Sequence, residues 1–187
     1  MALCIEDLQY PIGRFEWPAK PAGDHRSESL RIIAATPSAL RDAIAGLSPE
    51  QLDVPYREGG WSSRQVVHHY ADDHLNSYVR FKLALTEDAP LIKGYLQASW
   101  AELPDACTGP VAPSLQLLAA LHERWVTAFE SLSETEWERT FVHPVRGPVS
   151  LNQLAALYAW HGRHHVAQIN RLRERQGWIR TSERSSD

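Results

Sequence analysis

The chain has 187 residues, 43% of them apolar and 22% charged, with a net charge of −4. That length suits one domain spanning 1–187, and the apolar share supports a packed core rather than disorder. The acidic balance argues against a nucleic-acid binder, and two cysteines (Cys4 and Cys107) argue against a disulfide framework or a cysteine-built zinc site. No apolar run approaches the roughly 20 residues that span a membrane. The first residues, MALCIEDLQYPIGRFEWP, carry acids and prolines where a signal peptide carries basic and then apolar residues. A reducing, cytoplasmic location is therefore expected.

Residues 1–23 read as an extended arm, because Pro18 and Pro21 forbid a continuous helix. Its Tyr10, Ile12, Phe15 and Trp17 are expected to pack on the domain. A first long helix is predicted from about Asp24 to Leu47, with Pro37 kinking or breaking it. Ser48-Pro49-Glu50 opens a short turn. A second helix starts at Ser62, where Gln65 completes a capping box, and runs to about Thr86. Residues 87–112 look irregular, with room for a short helix near 95–103. A third helix spans Ser114 to about Leu132. Residues 141–149 suggest a loop or weak hairpin. The fourth helix opens on the Ser150/Gln153 capping box and stops at Gly177 after Arg171, Arg173 and Arg175. The polar tail 179–187 is expected to fray. Four helices with long connections predict an all-α four-helix bundle.

Six of the nine histidines fall in two short segments: His68, His69 and His74, then His161, His164 and His165. His161 and His165 are four apart on the fourth helix, so their Cβ atoms lie on one face at roughly 6 Å. Two imidazole nitrogens at that spacing can meet one metal at about 2.1 Å each. The intervening residues read His-Gly-Arg-His-His, so the general-base glutamate of an HExxH motif is absent. The helical wheel puts His161 and His165 on or beside the apolar stripe and turns His164 outward to solvent. A histidine on an apolar face is more often a hydrogen-bonded core residue than a ligand. Two at this spacing, with more clustered elsewhere, favour a metal.

A third ligand has to come from another helix. On the second helix the wheel buries His74 and puts His69 on a polar stripe with Asp73, Asn76 and Arg80. Pattern alone leaves His69 and His74 open. Asp73, one turn after His69, is placed to accept from an imidazole N–H. A solvated helix face is an equally good account of Asp72 and Asp73.

With these residues in view, the chain resembles the YfiT-like branch of the DinB superfamily, described as metal-dependent hydrolases. The matching stretches are Tyr10-Pro11-Ile12-Gly13, QLDVPYREGGWSSRQVVHHYADDHLNSYVRFKLALTE (51–87), LHERW (121–125) and LYAWHGRHHVAQI (157–169). They run from the arm to the last helix. The resemblance implies a four-helix bundle, one divalent metal per chain and a homodimer in some members; imidazole ligands suit zinc, nickel, copper or iron, and zinc or nickel is put first. It also implies the ligands His69, His161 and His165. The sequence departs from the family pattern at Tyr70 and at Gln168, which puts an outer-shell role for position 168 in doubt.

Three imidazoles leave a divalent ion with open positions, as catalytic rather than structural sites do. Such an ion activates water or a thiol at neutral pH. The family description implies hydrolysis of a small-molecule substrate. Relatives in the superfamily instead transfer low-molecular-weight thiols, of the bacillithiol or mycothiol type, to electrophiles. The missing acid within His161–His165 weighs mildly against hydrolysis, although Asp73 or His143 can serve as acid or base. Arg57, Arg80 and Arg146 are candidates for gripping substrate carboxylates. A non-catalytic metal-binding bundle is the competing class. Neither nucleic acid nor membrane is an expected partner. Trp160, beside His161, is a candidate wall of the pocket.

Overall fold

The computed structural model describes residues 4–18 and 23–178, so the frayed tail expected over 179–187 lies outside the described residues. Its elements are α1 (Ile5–Gln9), α2 (Gly23–Ile44), α3 (Pro49–Leu52), α4 (Ser63–Thr86), α5 (Gln97–Ala101), α6 (Pro104–Thr108), α7 (Ala112–Glu130), α8 (Glu134–Trp137), β1 (Thr140–His143), β2 (Gly147–Ser150) and α9 (Leu151–Gln176). The four long helices are α2, α4, α7 and α9. α9 packs on α2 and α4, and α7 packs on the same two. Consecutive long helices α2 and α4 therefore sit on one diagonal and α7 and α9 on the other. Diagonal helices cannot be joined by tight turns, which accounts for the long α2–α4 and α7–α9 connections, whereas the connection between the packed neighbours α4 and α7 is long because it carries α5 and α6.

Local chemistry sets the helix ends. Ser62 and Ser150 each accept from the backbone N–H three residues on, and Gln65 and Gln153 return the bond. Gly177 closes α9 at φ 65°, a left-handed conformation that only glycine adopts without strain. Arg173, buried near that end, donates to the Ala43 and Ala45 carbonyls and ties α9 to the C-terminus of α2.

Four expectations are corrected. The arm is not wholly extended: Cys4 and Asp7 form a capping box that starts α1, ahead of the prolines. Of the kink or break expected at Pro37, the break does not occur: α2 runs continuously through it, packed against α7 and α9. α7 begins two residues earlier than Ser114, with Pro113 in its first turn, where its missing N–H has no intrahelical partner to lose. The region 87–112 carries two short helices, α5 and α6, packed on α4. The expected hairpin forms as β1–β2, with Phe141 paired to Val149.

The core is two apolar clusters. Ile33, Phe81, Trp125, Phe129, Leu154 and Tyr158 belong to one, and Leu40, Val67, Tyr70, Leu118, Ile169 and Leu172 to the other. On every long helix except α2 a histidine stands between the two sets: His74 on α4, His122 on α7, His161 and His165 on α9. A layer of imidazoles therefore crosses the bundle between two greasy halves.

α9 approaches α2 and α4 closely at Gly162. A Cβ there would lie 2.5 Å from Thr36 Oγ1 and from the Tyr70 hydroxyl oxygen. Gly162→Ala is expected to destabilise the protein by about 1–3 kcal/mol through overpacking. That exceeds the roughly 1 kcal/mol of helix propensity alanine would add. Urea midpoints of the two proteins measure the balance, and an unchanged or higher midpoint for the variant would refute it.

Candidate metal centre

α4 and α9 bring His69, His161 and His165 together. One ring nitrogen from each lies within 4.8 Å of the other two. The Nε2 atoms of His161 and His165 are 3.1 Å apart. His69 is 3% exposed and His165 5%. Neither nitrogen of His69 meets a protein hydrogen-bond partner among the described residues, although its ring packs on Trp61 at 4.5 Å between centroids. Burial pushes the pKa of all three imidazoles down, and the neighbouring rings push those of His161 and His165 further. Neutral imidazoles offering lone pairs are the form that a metal takes.

The orientation of His165 follows from Gln168. The Gln168 side-chain amide donates to the Gln9 carbonyl at 2.9 Å, and a carbonyl only accepts. That places Oε1, at 2.8 Å, against His165 Nδ1. His165 must therefore carry its proton on Nδ1 and present Nε2 bare to the cluster. Position 168, doubtful from the sequence as a partner of the cluster, thus touches His165 directly and orients its ring.

Asp73 stands beside the rings. Its Oδ2 is 3.6 Å from His161 Nε2. The Tyr158 hydroxyl donates to Oδ2 at 2.8 Å and the Tyr95 hydroxyl to Oδ1 at 2.9 Å. Burial and the adjacent carboxylate raise both tyrosine pKa values, so both remain donors. Tyr158 in turn receives a hydrogen bond from Ser77. The polar stripe of α4 is thus no solvated face. Asp72 and Asp73 are half-buried, and burial, with Asp105 and Asp73 nearby, pushes the Asp72 carboxyl up to about 6. Of the two equal accounts the wheel left open, the solvated face is excluded: Tyr95 and, from α9, Tyr158 and His161 cover Asp73, and Asp105 of α6 stands near Asp72.

The other histidines of the two segments take different parts. His74 is fully buried, as the wheel had it, and both of its nitrogens face other histidines: Nδ1 is 2.8 Å from His122 Nε2, and Nε2 is 3.1 Å from His161 Nδ1. His68 points away, to Ser114 and the Gly109 carbonyl. His164 corrects the outward reading: it is 6% exposed, stacked on Trp160 at 4.5 Å and close to Tyr10. The N-terminal arm covers that face of α9, with the Gly13 carbonyl accepting from Trp160 Nε1.

The rings open into a cleft of about 590 Å³ that Trp61 and Trp160 help to wall. Arg57 and Arg146 line it, and so does Arg14, which sequence reasoning missed. Arg80 and His143 do not line it. Arg80 is buried and donates to the Lys93 carbonyl at 3.5 Å, while His143 Nδ1 accepts from the Val145 N–H at 3.2 Å.

Comparison with known proteins agrees with this architecture. The DinB superfamily pattern matches residues 32–169. The chain is 46% identical over 176 residues to a "Putative metal-dependent hydrolase" of Geobacillus kaustophilus, covering 93% of this chain and 98% of that one. It is 49% identical over 174 residues to a protein of the same description from Bacillus mycoides, covering 93% and 100%. Among solved structures it superposes with a TM-score of 0.90 and 40% identity on YfiT from Bacillus subtilis, described as "a probable metal-dependent hydrolase with an unusual four-helix bundle topology". That match covers 92% of this chain and 99% of YfiT. The chain belongs to the DinB superfamily. Its relatives are named as metal-dependent enzymes, and no helix among the described residues is long and apolar enough to cross a membrane.

Proposed function

We propose that this protein is a metal-dependent hydrolase holding one divalent ion, zinc or nickel, on His69, His161 and His165. The observation that carries the reading is the convergence of three neutral ring nitrogens, those of buried His69 and His165 and of half-buried His161, with the His165 nitrogen pinned as a bare lone pair by Gln168. With no fourth protein donor in the group among the described residues, the set is of the catalytic rather than the closed structural kind. The ion, when bound, supplies Lewis acidity that lowers the pKa of water or a thiol toward neutrality.

The protein's own groups favour water as the nucleophile. Asp73 provides, from α4, the carboxylate that the His161–His165 segment lacks. Oδ2 is placed to take a proton from attacking water and return it to a leaving group, while Tyr95 and Tyr158 hold the carboxylate in position. Arg57 and Arg146 stand where they can orient an anionic part of a substrate, and the cleft has the volume of a small-molecule site.

Asp73→Asn separates this reading from thiol transfer, which needs no general base. Hydrolysis of ester and amide substrates is expected to fall by about 100-fold or more, with metal content unchanged. Conjugation of a thiol to an electrophile that exceeds hydrolysis in the wild type, and survives in the variant, would replace hydrolase with thiol transferase.

A further inference from the structure

Pro37 lies seven residues before the end of α2, and the helix passes through it without interruption. Proline has no N–H, so the carbonyl four residues back, that of Ile33, loses its intrahelical donor. Ile33 is fully buried, and water cannot replace that donor. His122 on α7 does: its Nδ1 is 2.7 Å from the Ile33 oxygen.

We propose that the carbonyl released by Pro37 anchors a relay, Ile33–His122–His74–His161, that fixes the proton of the metal ligand His161 on Nδ1 and aims its Nε2 lone pair at the centre. The direction of every bond follows from the first. A carbonyl only accepts, so the His122 proton is on Nδ1 and its Nε2 is an acceptor. His74 must then donate from Nδ1, at 2.8 Å, which leaves its own Nε2 an acceptor. His161 in turn donates from Nδ1, at 3.1 Å. Each neutral imidazole has one proton, and no ring in the chain has a second choice. Tyr70 stacks on His74 at 4.1 Å and 21° and holds the middle ring in plane.

The outcome is geometric. Gln168 fixes His165 with Nε2 bare, and the relay fixes His161 the same way. Two lone pairs then face each other at 3.1 Å with no proton between them, an arrangement that a cation satisfies and a hydrogen bond does not. The relay ends on a buried carbonyl, so it has no exit for a proton. His74 and His122 are positioning residues, not a conducting wire.

The relay's service to a ligand rests on the metal-centre reading above, and the test keeps the two apart. Long-range ¹H–¹⁵N spectra of histidine-labelled protein report which nitrogen of each ring is protonated. His122, His74 and His161 are all expected as Nδ1–H without zinc as well as with it, and the zinc-free spectrum of His161 is the informative one, because a metal on Nε2 would by itself leave the proton on Nδ1. Protonation of His74 or His161 on Nε2 would overturn the relay. If wild-type protein takes up no zinc, the functional reading fails, and the His74 and His122 protons still decide the relay.

Zinc affinity, measured by competition with a chromophoric chelator, gives the second arm. His122→Leu is expected to weaken zinc binding by about 10–100-fold. His122→Gln, whose amide can donate to Ile33 and accept from His74, is expected to recover most of it. Pro37→Ala returns an N–H to the Ile33 carbonyl in a helix that alanine favours, and is expected to weaken binding a few-fold while raising the melting temperature. Wild-type affinity in folded His122→Leu would overturn the relay, and wild-type affinity in Pro37→Ala would remove the proline from it. Should His122→Leu not fold, the spectra and Pro37→Ala carry the test.

Discussion

Metal-free protein is expected to unfold as the pH falls from about 6.5 toward 4. In the unfolded chain imidazoles take up protons near pH 6.5. In the fold, burial pushes His122 and His164 down to about 4, and it lowers His69, His74, His161 and His165 as well. Between the folded and unfolded values the unfolded chain binds more protons, so stability rises with pH across the window and is lost as the pH drops through it. Each such ring contributes up to about 1.4 kcal/mol per pH unit. For His122 and His164, from 6.5 to about 4, that comes to roughly 3 kcal/mol apiece. The sum is comparable with the roughly 5–15 kcal/mol by which a domain is stable, so the midpoint falls above pH 4. Circular dichroism against pH measures it. On the proposed reading zinc takes the neutral cluster, so its addition is expected to move the midpoint lower. Stability that does not change between pH 6.5 and 4 would contradict the buried, neutral histidine layer.

The second large effect is on metal binding. His69→Ala and His165→Ala each remove one of the three proposed donors and are expected to weaken zinc binding beyond the roughly 10–100-fold that loss of an outer partner costs. Hydrolytic activity is expected to vanish with the metal. His161→Ala acts twice, because it also leaves the His74 Nε2 without its partner. His74→Ala keeps all three donors and is expected to fall within the 10–100-fold range. Chelator competition on the four variants ranks them. A His74→Ala loss larger than that of His69→Ala would make His74 the ligand and His69 its neighbour.

The parts of this fold written in local sequence were legible. Ser62 with Gln65, Ser150 with Gln153, and Gly177 mark helix ends through bonds that span three or four residues, and the ends fall there. His161 and His165 were legible as a pair because i,i+4 spacing alone puts them on one face. What depended on a second layer was not. The wheel sees one helix at a time, so it put His69 and Asp73 on a polar stripe without deciding whether that stripe meets solvent, and the groups that cover it, Tyr95 and the rings of α9, lie on other segments. His164 looked exposed because the arm that covers α9 lies about 150 residues earlier in the chain. His69 as a ligand came from family resemblance rather than from periodicity. Pro37 reads in the sequence as a helix breaker, and only the position of His122 on α7 shows what the freed carbonyl does. The role of Gln168 depended likewise on the carbonyl of Gln9, far away in sequence.

The central claim is that three histidines hold one divalent ion. X-ray absorption on untagged protein loaded with zinc and dialysed tests it most directly. The account predicts one zinc per chain, with three imidazole nitrogens at about 2.1 Å and the remaining positions taken by lighter oxygen donors. No retained zinc, or a shell with fewer than three imidazoles, would contradict it.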